Sequence, residues 1–425
     1  MEKVVMGLDA PGSVGLLQSL YETLVYKALV PMRFGNLKVS LPDGQEWDFG
    51  VHEYPGSNSP RIHARIQVRN RAFFRKCLLF GDIGFGESYV DGDWETENIA
   101  EVISWFILNH SNSPALSDTK RKNTFINSFG LLNRMVHQFR SNSLRGSKRN
   151  IYSHYDLSNE LFETFLDNTL TYSCAYYRSE SQSLESAQAE KYDVLCQKLK
   201  LKKTDQVLEM GCGWGGFSRH AVRNYGCHVT AITISKQQFQ YVDQMIRREG
   251  LGDQIDLRLQ DYREVAGRYD KIISIEMLEA VGEKYLELFF RKCHSLLKPQ
   301  GMLGIQAITC ADSRFRKLAR NVDWIQKHIF PGSLILSTHA ISRAVSSTSD
   351  LFLCHLEDMG HFYARTLLEW HAAFNRNTQK VRDLGFDDRF IRKWNYYLLY
   401  CQAAFAMKYN TVVQAVYTRQ GNFTG

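Results

Sequence analysis

The chain has 425 residues, a formal net charge of +7 and 44% hydrophobic residues, which is enough for two domains with cores of their own. No run approaches the roughly 18 to 20 apolar residues a membrane span needs. The N-terminus, with Glu2 and Asp9, does not read as a secretory signal. Nine cysteines without C-x-x-C spacing speak against a disulfide framework or a zinc site and for reduced thiols in a cytoplasmic protein.

Residues 1–110 read as a small mixed α+β domain. An amphipathic start (Leu16, Leu17, Leu20, Leu24) runs to Pro31, and residues 35–44 alternate as a strand ended by a turn. Residues 62–68 alternate again and lead into a helix at 73–80. The glycine- and carboxylate-rich residues 84–94 lack the remaining ligands of a calcium loop around Asp91-Gly92-Asp93, so turns and helix caps are expected there and no metal.

Residues 111–150 form a basic segment. From 119 to 150 there are eight Lys and Arg and no acid, and without them 44 basic residues face 45 acidic ones. Phe125, Phe129, Leu132, Val136 and Phe139 are interleaved at near-helical spacing. Such a stretch suits an anionic membrane surface, or equally a core-facing helix with a solvated basic linker. No helix-turn-helix, zinc finger or stacking platform accompanies the charge, so nucleic acid is not expected.

Residues 151–425 alternate strand and helix. Residues 207–210 are a buried strand that runs into Glu209-x-Gly211-x-Gly213-x-Gly215 and then into a helix. Glycines let the backbone approach a ligand, and a helix start offers free N–H groups. An acid at the strand end would repel a pyrophosphate but suits an ammonium group, so the loop resembles those that bind S-adenosylmethionine. Further strands are expected at 228–234, 255–259, 271–275, 302–308 and 412–417, with helices at 235–248 and 283–297. That order predicts an α/β fold, a class I methyltransferase-type doubly wound, mostly parallel sheet with its ligand at the carboxyl ends of the strands. The second strand ends in Thr233-Ile234-Ser235 with no acid for a ribose, which makes Gln238 the candidate; Asp261 is placed to accept an adenine amino group, and Tyr262 to pack on the ring. In the C-terminal part Phe390, Trp394, Tyr397, Leu398, Cys401 and Phe405 make an apolar stripe, read first as core alone, with half core and half acyl tunnel as the other reading.

With residues 152–159, 171–177, 233–238, 260–263, 277–282, 329–332 and 360–364 in view, the chain resembles the cyclopropane fatty acid synthase family over nearly its whole length. The resemblance implies methyl transfer from S-adenosylmethionine to a cis double bond of an unsaturated phospholipid acyl chain, then proton loss and closure of a three-membered ring. It implies a peripheral enzyme on the cytoplasmic membrane surface; whether it pairs as a homodimer is left open. Tyr172 and Ser173 join the cofactor residues. Aromatic faces, Tyr363 foremost, would steady the cationic intermediate.

The resemblance also implies a bound bicarbonate as base, seated by the Cys174 and Ile308 backbone, the Glu279 side chain, the Tyr363 hydroxyl and a histidine. Here that histidine position holds Gln306, which can donate to an anion but cannot carry a proton. Anion binding follows more readily than fast ring closure. Methyl branching without ring closure is therefore the nearest alternative, followed by a different small acceptor and by a lipid- or nucleoside-binding module without catalysis. The chain also departs from the family at Ala280, where many members have His, and after Gly332, where a second glycine is usual.

Overall fold

The computed structural model describes residues 11–50, 61–112 and 158–422. The basic segment with its apolar series, and residues 152–157 of the family-like motif, lie outside them. By compactness the chain divides into residues 1–134 with 387–407, and residues 135–386 with 408–425.

The first unit contains α1 (Pro11–Leu29), β1 (Asn36–Ser40), β2 (Glu46–Phe49), β3 (His63–Val68), α2 (Ala72–Val90), β4 (Trp94–Glu95) and α3 (Ile99–Leu108). Its sheet has the order β2-β1-β3-β4, with β1 and β3 parallel. Alternation buries Leu37, Val39, Ala64, Ile66 and Val68 with Val102 and Trp105 of α3. Helix α2 runs on from the expected 73–80 through residues 84–90, kinked at Gly81. Asp91 and Asp93 both accept from Lys76 Nζ, at 2.7 and 2.6 Å, so the carboxylates close on a lysine. No metal-ligand cluster occurs among the described residues.

The second unit runs from α4 (Asn159–Glu163) and α5 (Leu184–Lys198) into β5 (Gln206–Met210), α6 (Gly216–Tyr225), β6 (His228–Thr233), α7 (Lys236–Glu249), β7 (Ile255–Leu259), β8 (Tyr269–Ile275), α8 (Leu278–Val281), α9 (Glu283–Leu296) and β9 (Leu297–Cys310). Then follow α10 (Asp312–Arg320), α11 (Trp324–His328), β10 (Leu336–Ser337), α12 (Thr338–Thr348), β11 (Phe352–Asp358), α13 (Gly360–Arg376), α14 (Thr378–Asp383), α15 (Asp388–Ala406) of the first unit, and β12 (Asn410–Thr418).

The large sheet has the order β11-β12-β9-β8-β5-β6-β7, and β12 runs antiparallel to both its neighbours. Strand order reverses at β5, whose neighbours are β6 and β8, so the crevice for a ligand opens past its carboxyl end. Helices α5, α6 and α7 cover one face through Leu195, Phe217, Ala221, Val242 and Ile246. Helices α9 and α12 cover the other through Phe289, Phe290, Ile341 and Val345. The doubly wound methyltransferase sheet is thus the observed fold.

Helix α15 is a departure from the single domain expected over 151–425. Its buried Ile391, Trp394, Tyr397 and Leu398 form core in the first unit. Arg392 donates to Tyr89 O at 2.9 and 2.6 Å and to Glu95 Oε1 at 2.9 Å. A helix with a continuous apolar stripe joins whichever core offers it a face, and sequence distance does not choose. No described helix is long and apolar enough to cross a membrane.

Candidate active site

The glycine loop follows β5 as expected. Gly211 and Cys212 N–H both donate to Ile232 O, at 3.0 and 2.9 Å, pinning the loop to the end of β6. Gly215 has φ +84° and precedes α6, and a Cβ there would lie 2.9 Å from Met245 Cε. Gly213 has φ +52° but a Cβ would meet nothing within 4 Å, so its side of the loop is open to a ligand. Below it the buried Glu209 carboxylate accepts from Ser218 Oγ of α6, and burial pushes its pKa up to about 8.

The β6 end is built around Thr233. Its hydroxyl donates to Gln238 Oε1 at 2.8 Å and accepts from Ser235 N–H at 3.1 Å, while Ser235 caps α7. This turn holds Thr233, Ile234 and Gln238 together beside the loop. Asp261 is already engaged: Arg263 donates to it from N–H at 3.0 Å, Nε at 2.8 Å and Nη2 at 2.7 Å. Tyr262 packs on Phe289 at 5.5 Å and is core. An adenine amino group would thus share Asp261 with Arg263, and Tyr262 is packed where the sequence reading had it against the adenine. The cause is Arg263 itself, two residues on in a tight 3-10 turn.

Residues around 174, 276, 306 and 363 converge into a second cluster. Glu276 Oε1 accepts from Cys174 N–H at 2.8 Å and from Gln306 Nε2 at 2.8 Å, and the Tyr363 hydroxyl also hydrogen-bonds this carboxylate. Gln306 gives its other amide proton to Cys174 O at 3.2 Å, and its Oε1 accepts from Gln414 Nε2 at 3.0 Å. Ile308 N–H donates to Glu279 Oε1, while Glu279 Oε2 is buried with no partner. Burial first, and then the charge of Glu276, push Glu279 up to about 8; burial also raises Glu276, against its hydrogen bonds and Lys191. The Cys174 thiol is buried and pushed well above its usual range, so the residue acts here through its backbone.

In this structure the donors expected to seat a bicarbonate are engaged by side chains of the chain itself. Gln306 has no amide proton left for an anion. The Cys174 and Tyr363 donors go to Glu276, and the Ile308 donor goes to Glu279. The residues present do not fit the ion.

Two members of this cluster were missed from sequence. Glu276 directly follows a strand already assigned, one residue beyond Ile275. Lys191 is fully buried on α5, donating to Ser173 Oγ at 2.5 Å and Gln188 Oε1 at 2.7 Å. Burial lowers its pKa to about 8 although Glu276, Asp167 and Glu209 pull it up. Its signal is positional: it sits four residues from both Ala187 and Leu195, on the apolar face.

Aromatic rings join the two clusters. Trp214 of the glycine loop lies 4.9 Å from Phe162, which lies 5.3 Å from Tyr172; Tyr172 is 5.2 Å from Trp370, and Trp370 is 5.9 Å from Tyr363. Phe330 approaches Tyr172 at 6.3 Å. The arrangement brings together a glycine loop open at Gly213, a row of packed aromatic rings and a pair of buried carboxylates.

Known proteins resemble this chain in the same region. A family model described as mycolic acid cyclopropane synthetase matches residues 142–415. The chain is 34% identical over 377 residues to the tuberculostearic acid methyltransferase UfaA1 of Mycobacterium tuberculosis, with 86% of each chain covered. It is 33% identical over 369 residues to the cyclopropane-fatty-acyl-phospholipid synthase of Escherichia coli, covering 84% of this chain and 88% of that one. The crystal structure of mycolic acid cyclopropane synthase CmaA1 complexed with SAH and CTAB superposes with a TM-score of 0.60 at 28% identity, over 64% of this chain and 98% of that chain.

Proposed function

The chain belongs to the mycolic acid cyclopropane synthetase family and is an S-adenosylmethionine-dependent methyltransferase, and from that premise we propose that it adds a one-carbon unit to the cis double bond of an unsaturated phospholipid acyl chain. The observation that carries this reading is the series of packed aromatic rings that runs from Trp214 to Tyr363 and reaches the carboxylate of Glu276.

Glu209, Gly211, Gly213 and Gly215 would hold S-adenosylmethionine, with Thr233, Ile234, Gln238 and Asp261 on its nucleoside side. When bound it supplies an electrophilic sulfonium methyl group. An alkene is a poor nucleophile, so the chain must hold it in line with that methyl and keep water away. Tyr172, Trp370 and Tyr363 suit both tasks: their rings exclude water, and their faces steady a cation by about 0.5 to 2 kcal/mol each. The membrane partner in this reading is an anionic surface, met by the basic residues between 119 and 150.

Methyl branching is the second reading, favoured by one observation: Gln306 stands where the resemblance has a histidine, and its amide cannot take up a proton at neutral pH. The similarity to a protein named tuberculostearic acid methyltransferase is in keeping with that reading. The test is incubation of the purified chain with methyl-labelled S-adenosylmethionine and vesicles of cis-monounsaturated phospholipid. Label in the acyl chains is the expected result; label absent from every lipid offered would remove the proposal.

A further inference from the structure

The reaction proposed above ends in loss of a proton, and the best-furnished anion position in the site is already held by a side chain. Cys174 N–H and Gln306 Nε2 donate to Glu276 Oε1 at 2.8 Å each, and the Tyr363 hydroxyl joins them. A small anion would have to compete for the same donors. We propose that Glu276 is the base of this enzyme, a carboxylate of the chain standing where relatives with an open seat would bind a bicarbonate ion; the proposal rests on the lipid reaction of the preceding section.

The backbone carries an independent sign. Glu276 has φ +49°, in the left-handed region. Glycine holds that conformation freely, whereas a residue with a Cβ is strained there. Such strain persists where the rest of the structure enforces it, and here the Glu276 N–H is fixed to Gln306 O at 2.7 Å. The conformation aims the carboxylate at the donors on Cys174, Gln306 and Tyr363.

Charge is distributed to suit a base. Around Glu276 stand Lys191 of α5, Glu279 of α8 and Tyr363 of α13. Glu279 has its pKa pushed up to about 8 by burial and by the charge of Glu276. Burial raises Glu276 as well, but the hydrogen bond from Gln306, the Lys191 amine and the hydrogen bonds from Cys174 and Tyr363 oppose it. Of the two carboxyls, Glu276 is the one furnished with donors and a nearby cation, and so the one placed to take a proton. In the reaction, the alkene pair forms the new carbon–carbon bond to the methyl as the sulfur–methyl bond breaks with its pair kept on sulfur, and a cation is left on the neighbouring carbon. A Glu276 oxygen takes a proton from the newly attached methyl; the C–H pair forms the third ring bond and discharges the cation. The proton then passes from Glu276 to water.

The experiment compares the full-length chain with Glu276→Gln and Glu276→Gly, in buffer stripped of carbon dioxide and then with bicarbonate restored. S-adenosylmethionine binding by calorimetry confirms that each variant is folded. The native chain should turn over equally with and without bicarbonate. Glu276→Gln should lose about 10²- to 10⁴-fold, the usual worth of a positioned base. Glu276→Gly should be as slow without bicarbonate and regain activity with it. Carbon-13 bicarbonate observed by NMR should broaden with Glu276→Gly and not with the native chain, a readout that needs no turnover. A native chain that binds or requires bicarbonate, or a Glu276→Gln that keeps its rate, overturns the proposal. If the native chain methylates no lipid, the reaction reading fails, and the NMR comparison still decides who occupies the anion position.

Discussion

Gln306 makes three hydrogen bonds while fully buried, to Cys174 O, to Glu276 Oε1 and from Gln414 Nε2. Replacing it by Leu takes the partner from Cys174 O and from Gln414 Nε2, at about 1–3 kcal/mol each, and removes one of the donors to Glu276. Gln306→Leu should therefore melt several degrees lower and lose activity, as measured by thermal denaturation and label transfer. Glu279 provides a pH test. Its folded pKa, about 8, lies above the ordinary carboxyl value of 4.5, so the folded state holds a proton that the unfolded state gives up. That contribution to stability is complete below about 4.5 and is lost as pH rises towards about 8. Glu279→Gln should lower Tm less between about pH 5 and about 8 than the native chain does, and parallel slopes would refute the assignment. At this scale the sequence was only half legible. Glu279, Tyr363 and Cys174 could be placed because a family resemblance marks them. Glu276 and Lys191 could not, because nothing in their local pattern says that a carboxylate folds back under Cys174 N–H, or that an amine is buried against Ser173.

Among the elements, the strand-loop-helix at 206–225 carries the most information per residue. Its hydrophobic run, its glycines and its helix each obey a local rule, and the structure reproduces them. Gly215 is the sensitive point: φ +84° strains any side chain, and the Cβ would press on Met245 and Val242. Gly215→Val should weaken S-adenosylmethionine binding at least tenfold by calorimetry, whereas Glu276→Gln should bind it as the native chain does. Elements that break local rules were missed. Helix α5 presents Lys191 on its core face, which blunts its apolar stripe. Strand β11 exposes Phe352, Leu353 and Leu356 and has no alternation to read.

For the whole molecule, length and composition leave room for two cores, and the chain divides into two compact units. Their boundary was not legible, since α15 lies far from residues 11–112 in sequence yet shares their core. Only the packed structure shows which face its stripe meets. The +7 charge belongs to one segment, so its effect can be isolated. Replacing the eight Lys and Arg between 119 and 150 by Gln should reduce sedimentation with anionic vesicles more than tenfold, at about 1 kcal/mol for each cation near the surface. Added salt should weaken the native chain's binding and leave the variant's little changed.

The most direct measurement is mass spectrometry of acyl chains after reaction with S-adenosylmethionine carrying a fully deuterated methyl group. The account predicts that the product keeps two of the three deuterons and resists chemistry that attacks double bonds, because Glu276 removes one from the transferred methyl as the ring closes. A product that keeps all three and still reacts as an alkene would contradict it, and would mean methyl branching with the proton lost from the acyl chain.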